Sequence, residues 1–162
     1  AIDPDASTSH PGVVSLIVVP GSSDAKPLPT LTLLDEVRSY LDERRIATAD
    51  LVVVAPEYVR VDVKVEVALV SLEGAGGVAN AVAQALAGFL HPLTGGLDQN
   101  GWDFGRQPHR SDLYALLEAV PGVDHLNDLQ VSEIEERPGA IAGGRFLVYS
   151  GEHDIRLTFG EA

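Results

Sequence analysis

Gly74-Ala75-Gly76-Gly77-Val78-Ala79 has the G-x-G-x-x-G/A spacing with which a strand-to-helix turn cradles a dinucleotide pyrophosphate. Its context opposes that chemistry. The preceding segment alternates polar and apolar residues, whereas a dinucleotide-binding strand is buried on both faces. No second strand ending in Asp or Glu follows the helix, so the stretch reads as a plain turn. Asp98, Asn100 and Asp103 offer the oxygens of a calcium loop, but Asp103 stands where an EF-hand needs Gly and His109 where it needs Glu. Gly95-Gly96 through Gly101 lacks the Gly-Lys-Ser/Thr of a phosphate-binding loop. The five histidines, His10, His91, His109, His125 and His153, contain no His-x-x-x-His pair. Ser150 lies in what reads as a hairpin turn, with no G-x-S-x-G around it. Glu135-Glu136 beside Pro138-Gly139 reads as a solvated loop. No catalytic residue, cofactor or metal ligand is therefore expected.

Contact is the remaining chemistry, and it concentrates between His91 and Tyr114. This stretch holds Trp102, the only Trp of the chain, and Gly95, Gly96, Gly101 and Gly105 within eleven residues. An ordered loop of that length usually has a function. Trp102, Phe104 and Arg106 are of types enriched in interface hot spots. They are the expected contact residues; the simpler role for the aromatics is to anchor the loop on its own core.

The elements that must hold this loop follow from periodicity. Val13 to Val19 reads as a buried strand closed by Pro20-Gly21. A helix is expected from Thr32 to Arg45, with Thr32 as cap, Asp35 in a capping-box position and Arg44-Arg45 suiting the dipole at its end. Leu51 to Ala55 reads as a second apolar strand. Val59, Val61, Val63, Val65 and Val67 then alternate with Arg60, Asp62, Lys64 and Glu66, which predicts a long strand with one buried and one wet face. Helices follow over Val78 to Leu90 and from a Ser111 cap. Val123 to Ile134 reads as a strand and residues 135–144 as a loop. Phe146–Tyr149 and Asp154–Phe159 read as a hairpin around Ser150-Gly151. The order is β-α-β-β-α-α-β-β-β, an α+β fold of three helices on a mostly antiparallel sheet, which also admits two small α/β subdomains. Residues 1–12 read as a linker or upstream remnant and 13–159 as the domain, with a subdivision near 92–110 conceivable.

Composition narrows the partners. The chain has 162 residues, 45% of them hydrophobic, enough for a core. A net charge of -13 disfavours nucleic acid and anionic membrane surfaces. There is no Cys, so thiolate metal sites and disulfides are excluded. There is no Met, so Ala1 is read as the start of a fragment or processed product.

These residues carry a family resemblance. The matching features are Val18-Val19-Pro20, the helix with Leu34, Val37, Tyr40-Leu41 and Arg44-Arg45, and Val52 to Tyr58. Further on come Ala85-Leu86, Ser111, Leu113-Tyr114, Gly122-Val123 and Tyr149-Ser150-Gly151 with His153. The most specific part is LxPxxGGxxxxGWxFGR, from Leu90 to Arg106. Over most of residues 12–159 the chain resembles the C-terminal part of baseplate J-like proteins, wedge components of contractile phage tails and related injection systems. The resemblance implies a structural protein without catalytic residues or cofactor. It implies other wedge subunits and a second J-like protein as partners, assembled in six-fold wedges, and an N-terminal portion beyond this fragment. Nucleic acid, membrane and small molecules are not expected as partners. The implied location is the cytoplasm during assembly and then the tail or injection particle. The alternative from another class is a small ligand-binding or enzymatic α+β domain using the 91–114 loop and its histidines. A metal module at Asp98 and Asp103 is a third.

Overall fold

The runs at 13–19 and 51–55 are apolar at consecutive positions, whereas the run at 57–69 is apolar at alternate ones. The first kind needs cover on both faces, the second on one. The computed structural model describes residues 12–45 and 50–159. It places the two kinds of strand in separate compact units, residues 1–56 and 57–162. The expected linker lies almost wholly outside the described residues, as does His10.

In the first unit, Val13–Ile17 (β1), Leu31–Asp42 (α1) and Asp50–Val54 (β2) follow one another. β1 and β2 pair in parallel, Val13 opposite Asp50 and Ile17 opposite Val54, and α1 packs on β2. Their apolar runs predict burial, and the structure does not provide it. Two strands and one helix give too little cover, so Val14 is 54% exposed and only Val53 of the strand residues is buried. The helix cap is also two residues earlier than its sequence suggests. Thr30 Oγ1, not Thr32, accepts from the Leu33 amide at 3.2 Å. Thr30 is extended, at φ -72 and ψ 157, the conformation a cap needs. Asp35 is then outside the capping-box position. The helix ends at Asp42 rather than Arg45, and Arg44 turns back over it. Its Nη1 donates to the Tyr40 carbonyl at 2.9 Å while its guanidinium lies 3.8 Å from the Tyr40 ring centroid.

The second unit comprises Glu57–Leu69 (β3), Ala75–Phe89 (α2), Arg110–Glu118 (α3), Val123–Glu135 (β4), Ala140–Gly143 (α4) and Phe146–Phe159 (β5). The sheet order is β4-β3-β5, with β4 antiparallel and β5 parallel to β3. The alternation in β3 works as its spacing predicts. Val59, Val61, Val63, Val65 and Val67 are buried under α2 and α3, which bring Val82, Leu86, Phe89, Leu113 and Leu117 to the same core. Each such side chain contributes about 1.5–3 kcal/mol of transfer free energy. On the opposite face Lys64 stands in register with Asp154 and Glu66 with Arg156. Arg60 instead pairs along its own strand, 3.0 Å from Asp62.

The architecture is α+β, as expected. Four details differ. The closing hairpin is a single strand, β5, that runs through Ser150-Gly151 without reversing. The 135–144 loop contains the short helix α4, whose Gly139 and Ile141 amides donate to the Glu135 carboxylate at 3.0 and 2.7 Å. α2 starts at Ala75, three residues before Val78. His109 rather than Ser111 precedes α3, and its carbonyl accepts from the Asp112 amide at 3.0 Å.

Candidate functional site

α2 ends with carbonyls that no further helical turn can satisfy. The loop after it supplies the donors. Leu86 O still takes the helical bond of the C-cap residue Leu90 at 2.9 Å, and beyond it Gly88 O accepts from the His91 amide at 3.3 Å. Phe89 O takes two donors from the loop, the Gly96 amide at 2.8 Å and the Trp102 indole Nε1 at 2.9 Å. The indole also meets the Phe89 ring edge-on, with centroids 5.3 Å apart at 89°. The loop is thus wound around the end of a helix. Gly95 and Gly101 make the winding possible. A Cβ on Gly95 would lie 2.1 Å from Phe89 O, and one on Gly101, at φ +89, would lie 2.7 Å from Pro92 O. His91 belongs to the same lock, since its Nδ1 lies 3.2 Å from the Leu93 amide and 3.3 Å from the Thr94 amide. The Gly105 amide then donates to Phe146 O at 2.8 Å, tying the loop to the start of β5.

The three expected contact residues divide by position. Trp102 is half-buried and packs against the core. Phe104 is 45% exposed. Arg106 is exposed as well, its Nη1 3.8 Å from the Asp103 carboxylate. Beside the loop, α2 and α3 leave an open groove of about 590 Å³ with Ala85, Gly88, Phe89, Ala115 and Leu116 in its walls. Asp112 borders both this groove and a smaller depression of about 170 Å³ that also contains Asp98, Asp103 and Arg106. Among the described residues no three His, Asp or Glu side chains form a group able to hold a metal. Nor do Gly76 and Gly77 make a close backbone approach, because a Cβ on either meets nothing within 4 Å.

One constellation is announced by no motif. Ser150 Oγ lies 2.8 Å from His153 Nε2, and Asp62 is on the neighbouring strand. The grouping has the residue types of a nucleophilic triad but the wrong proton. His153 Nδ1 accepts from the Val63 amide at 3.1 Å, so the neutral ring carries its hydrogen on Nε2 and donates it to Ser150. An imidazole in that tautomer cannot take the Ser150 proton. Asp62 Oδ1 is occupied elsewhere, accepting from the Glu152 amide at 2.9 Å. The group braces a bulge. β3 advances from Val61 to Val63 while β5 advances from Ser150 to His153, one residue more. The extra residue shifts the inward set from Phe146 and Val148 to Ile155 and Leu157, keeping apolar residues on the core face. Reading Ser150-Gly151 as a turn hides this. The signal in the sequence is the change of parity, from even to odd apolar positions.

Shifted titrations lie on the sheet and its rims, away from the groove. Burial lowers the His153 pKa, against the opposing charge of Asp62. Burial first, then Glu136, pushes the Tyr58 and Tyr149 hydroxyls up to about 12. The two rings meet edge-on at 5.7 Å and Tyr149 donates to Glu136 at 2.5 Å. Burial raises the Glu133 carboxyl, which accepts from Gln107. His125, beside Asp124 at 2.8 Å, is raised by that hydrogen bond.

The fold has a solved counterpart. The chain is similar to a chain of the anti-feeding prophage (AFP) baseplate, with a TM-score of 0.61 and 20% sequence identity. The similarity covers 88% of this chain and 30% of that one, so this chain spans under a third of its neighbour's length. No family model and no curated protein sequence matches it. Among the described residues no helix is long and apolar enough to cross a membrane.

Proposed function

We propose that this chain is part of a structural baseplate subunit of a contractile tail or injection system, working by protein–protein contact. The observation that carries the reading is the fold shared with a chain of the AFP baseplate over 88% of the present chain. The finer assignment is a baseplate J-like wedge subunit beside other wedge proteins and a second J-like chain. It is supported by the Leu90–Arg106 spacing, whose glycines and Trp102 all have a part in one wound loop. The Trp102 lock presents Phe104 and Arg106 outward as the contact pair. The reading is of a contact protein and not a catalyst, in keeping with a Ser150–His153 pair protonated the wrong way for nucleophilic attack. Its place is the assembled particle, reached from the cytoplasm.

The test is co-assembly. Phe104→Ala with Arg106→Ala is expected to leave the isolated chain folded, with an unchanged melting transition. The same pair in the full-length subunit is expected to abolish incorporation into baseplates. Normal incorporation of the folded double variant would overturn the contact assignment.

A further inference from the structure

Gly88 stands in the last full turn of α2, where glycine destabilises a helix by about 1 kcal/mol relative to alanine. The fold of this chain gives no reason for it: φ is not left-handed and a Cβ would meet nothing within 4 Å. Gly88 faces the groove between α2 and α3. Ala85 lies one turn earlier on the same side, and Ala115 faces them from α3. Small residues on two adjacent helices let a third helix come in close, at an axial separation of roughly 8–10 Å. Phe89, Leu116 and Leu97 add apolar area, and Leu97 is 64% exposed. The end of the groove nearest the loop is acidic. Asp112 borders it and continues into the depression with Asp98 and Asp103, where Arg106 is the one basic side chain among the lining residues. Three carboxylates against one guanidinium, on a chain of net charge -13, favour a cationic group there.

We propose that the α2/α3 groove seats an amphipathic helix of an assembly partner, with apolar residues toward Gly88 and a lysine or arginine at the end that meets Asp112. The inference rests on the assembly reading above and names the surface and chemistry of one partner. The close approach at Gly88 supplies packing, and Asp112 fixes the direction in which the helix lies.

The test places the photo-crosslinking residue p-benzoylphenylalanine at position 84, on the rim of the groove, so that Gly88 is kept, in the full-length subunit of the assembled particle. The expected result is one dominant adduct, in a helical partner segment with apolar residues at i, i+3 and i+4 and a Lys or Arg within two turns. Asp112→Lys in the same background is expected to cut adduct yield about tenfold. Leu97→Asp, on an exposed side chain, should lower it without touching the fold. A particle that contains the subunit but gives no adduct at position 84, or an adduct in a segment without basic residues, overturns the groove inference and leaves the assembly reading standing. Absence of the subunit from particles defeats the assembly reading instead. The groove is then decided by titrating the isolated chain with a synthetic Leu/Ala helix ending in lysines, followed by the fluorescence of Trp102 on Phe89. A saturable change that weakens about tenfold when glutamates replace the lysines supports it; no change overturns it.

Discussion

His153 replaces a ladder carbonyl with a ring nitrogen, and this makes the bulge sensitive to acid. Its pKa is lowered in the folded unit from an ordinary value of 6.5. The unfolded chain therefore binds the proton more readily, and stability rises with pH through that window. The contribution is complete above pH 6.5 and is lost as pH falls below it toward the folded value. Urea titrations across this range should show stability falling as pH falls, and His153→Gln should flatten that dependence; an identical slope in the variant would contradict the role. Glycines separate in the same way by what surrounds them. Gly95→Ala drives a Cβ into Phe89 O at 2.1 Å and should cost about 2 kcal/mol or more. Gly77→Ala, in α2 with open space around it, should stabilise by about 0.5–1 kcal/mol in the same thermal melts. Sequence distinguishes these glycines only in part. The density around Gly95 and Gly101 signals a special path, but which carbonyl each one admits depends on where α2 stops. Ser150 is harder still, because its partner His153 acts through the amide of Val63, ninety positions away.

Elements are joined by two devices, the Trp102 lock and the β5 bulge. Trp102→Ala removes a half-buried ring and one indole donor from the end of α2. The expected loss is about 2 kcal/mol of unfolding free energy, less than for a fully buried aromatic. Trp102→Phe should recover the packing share and lack only the hydrogen bond, about 1 kcal/mol. Equal stability of both variants to the parent would show that the loop closes without the indole. Deleting Glu152 takes out the extra residue of the bulge. Ile155 and Leu157 then turn to the charged face, so the shortened chain should lose its cooperative melt. Periodicity makes β3 and the faces of α2 and α3 legible, because alternate and helical spacings each have one packing solution. Element ends are less so. Thr30 and Thr32 are equally good caps by type, and only the extended backbone at Thr30 in the folded chain separates them. The parallel pairing of β3 with β5 is not local information: it joins Glu57 to Phe146 across three helices and a strand.

At the scale of the whole molecule, the second unit has a core of its own, whereas the first leaves Val13, Val14, Val52 and Val54 substantially exposed. Exposed apolar surface of this kind is what a contact protein offers, in line with the proposed assembly role. The strong acidity, the outward Phe104 and Arg106 and the open α2/α3 groove point the same way. Of these features composition makes the acidity legible, as a net charge of -13. The groove is not legible in the sequence, because Gly88 and Ala115 come together only through the packing of α2 on α3. The central claim is that the parent subunit is a baseplate component. It is tested most directly by attaching a gold-binding tag to the full-length subunit and imaging the purified contractile particles by electron microscopy. Label is expected only at the baseplate end of the tail, recurring around its axis. Label along the sheath, or tagged protein recovered only free of particles, would contradict it.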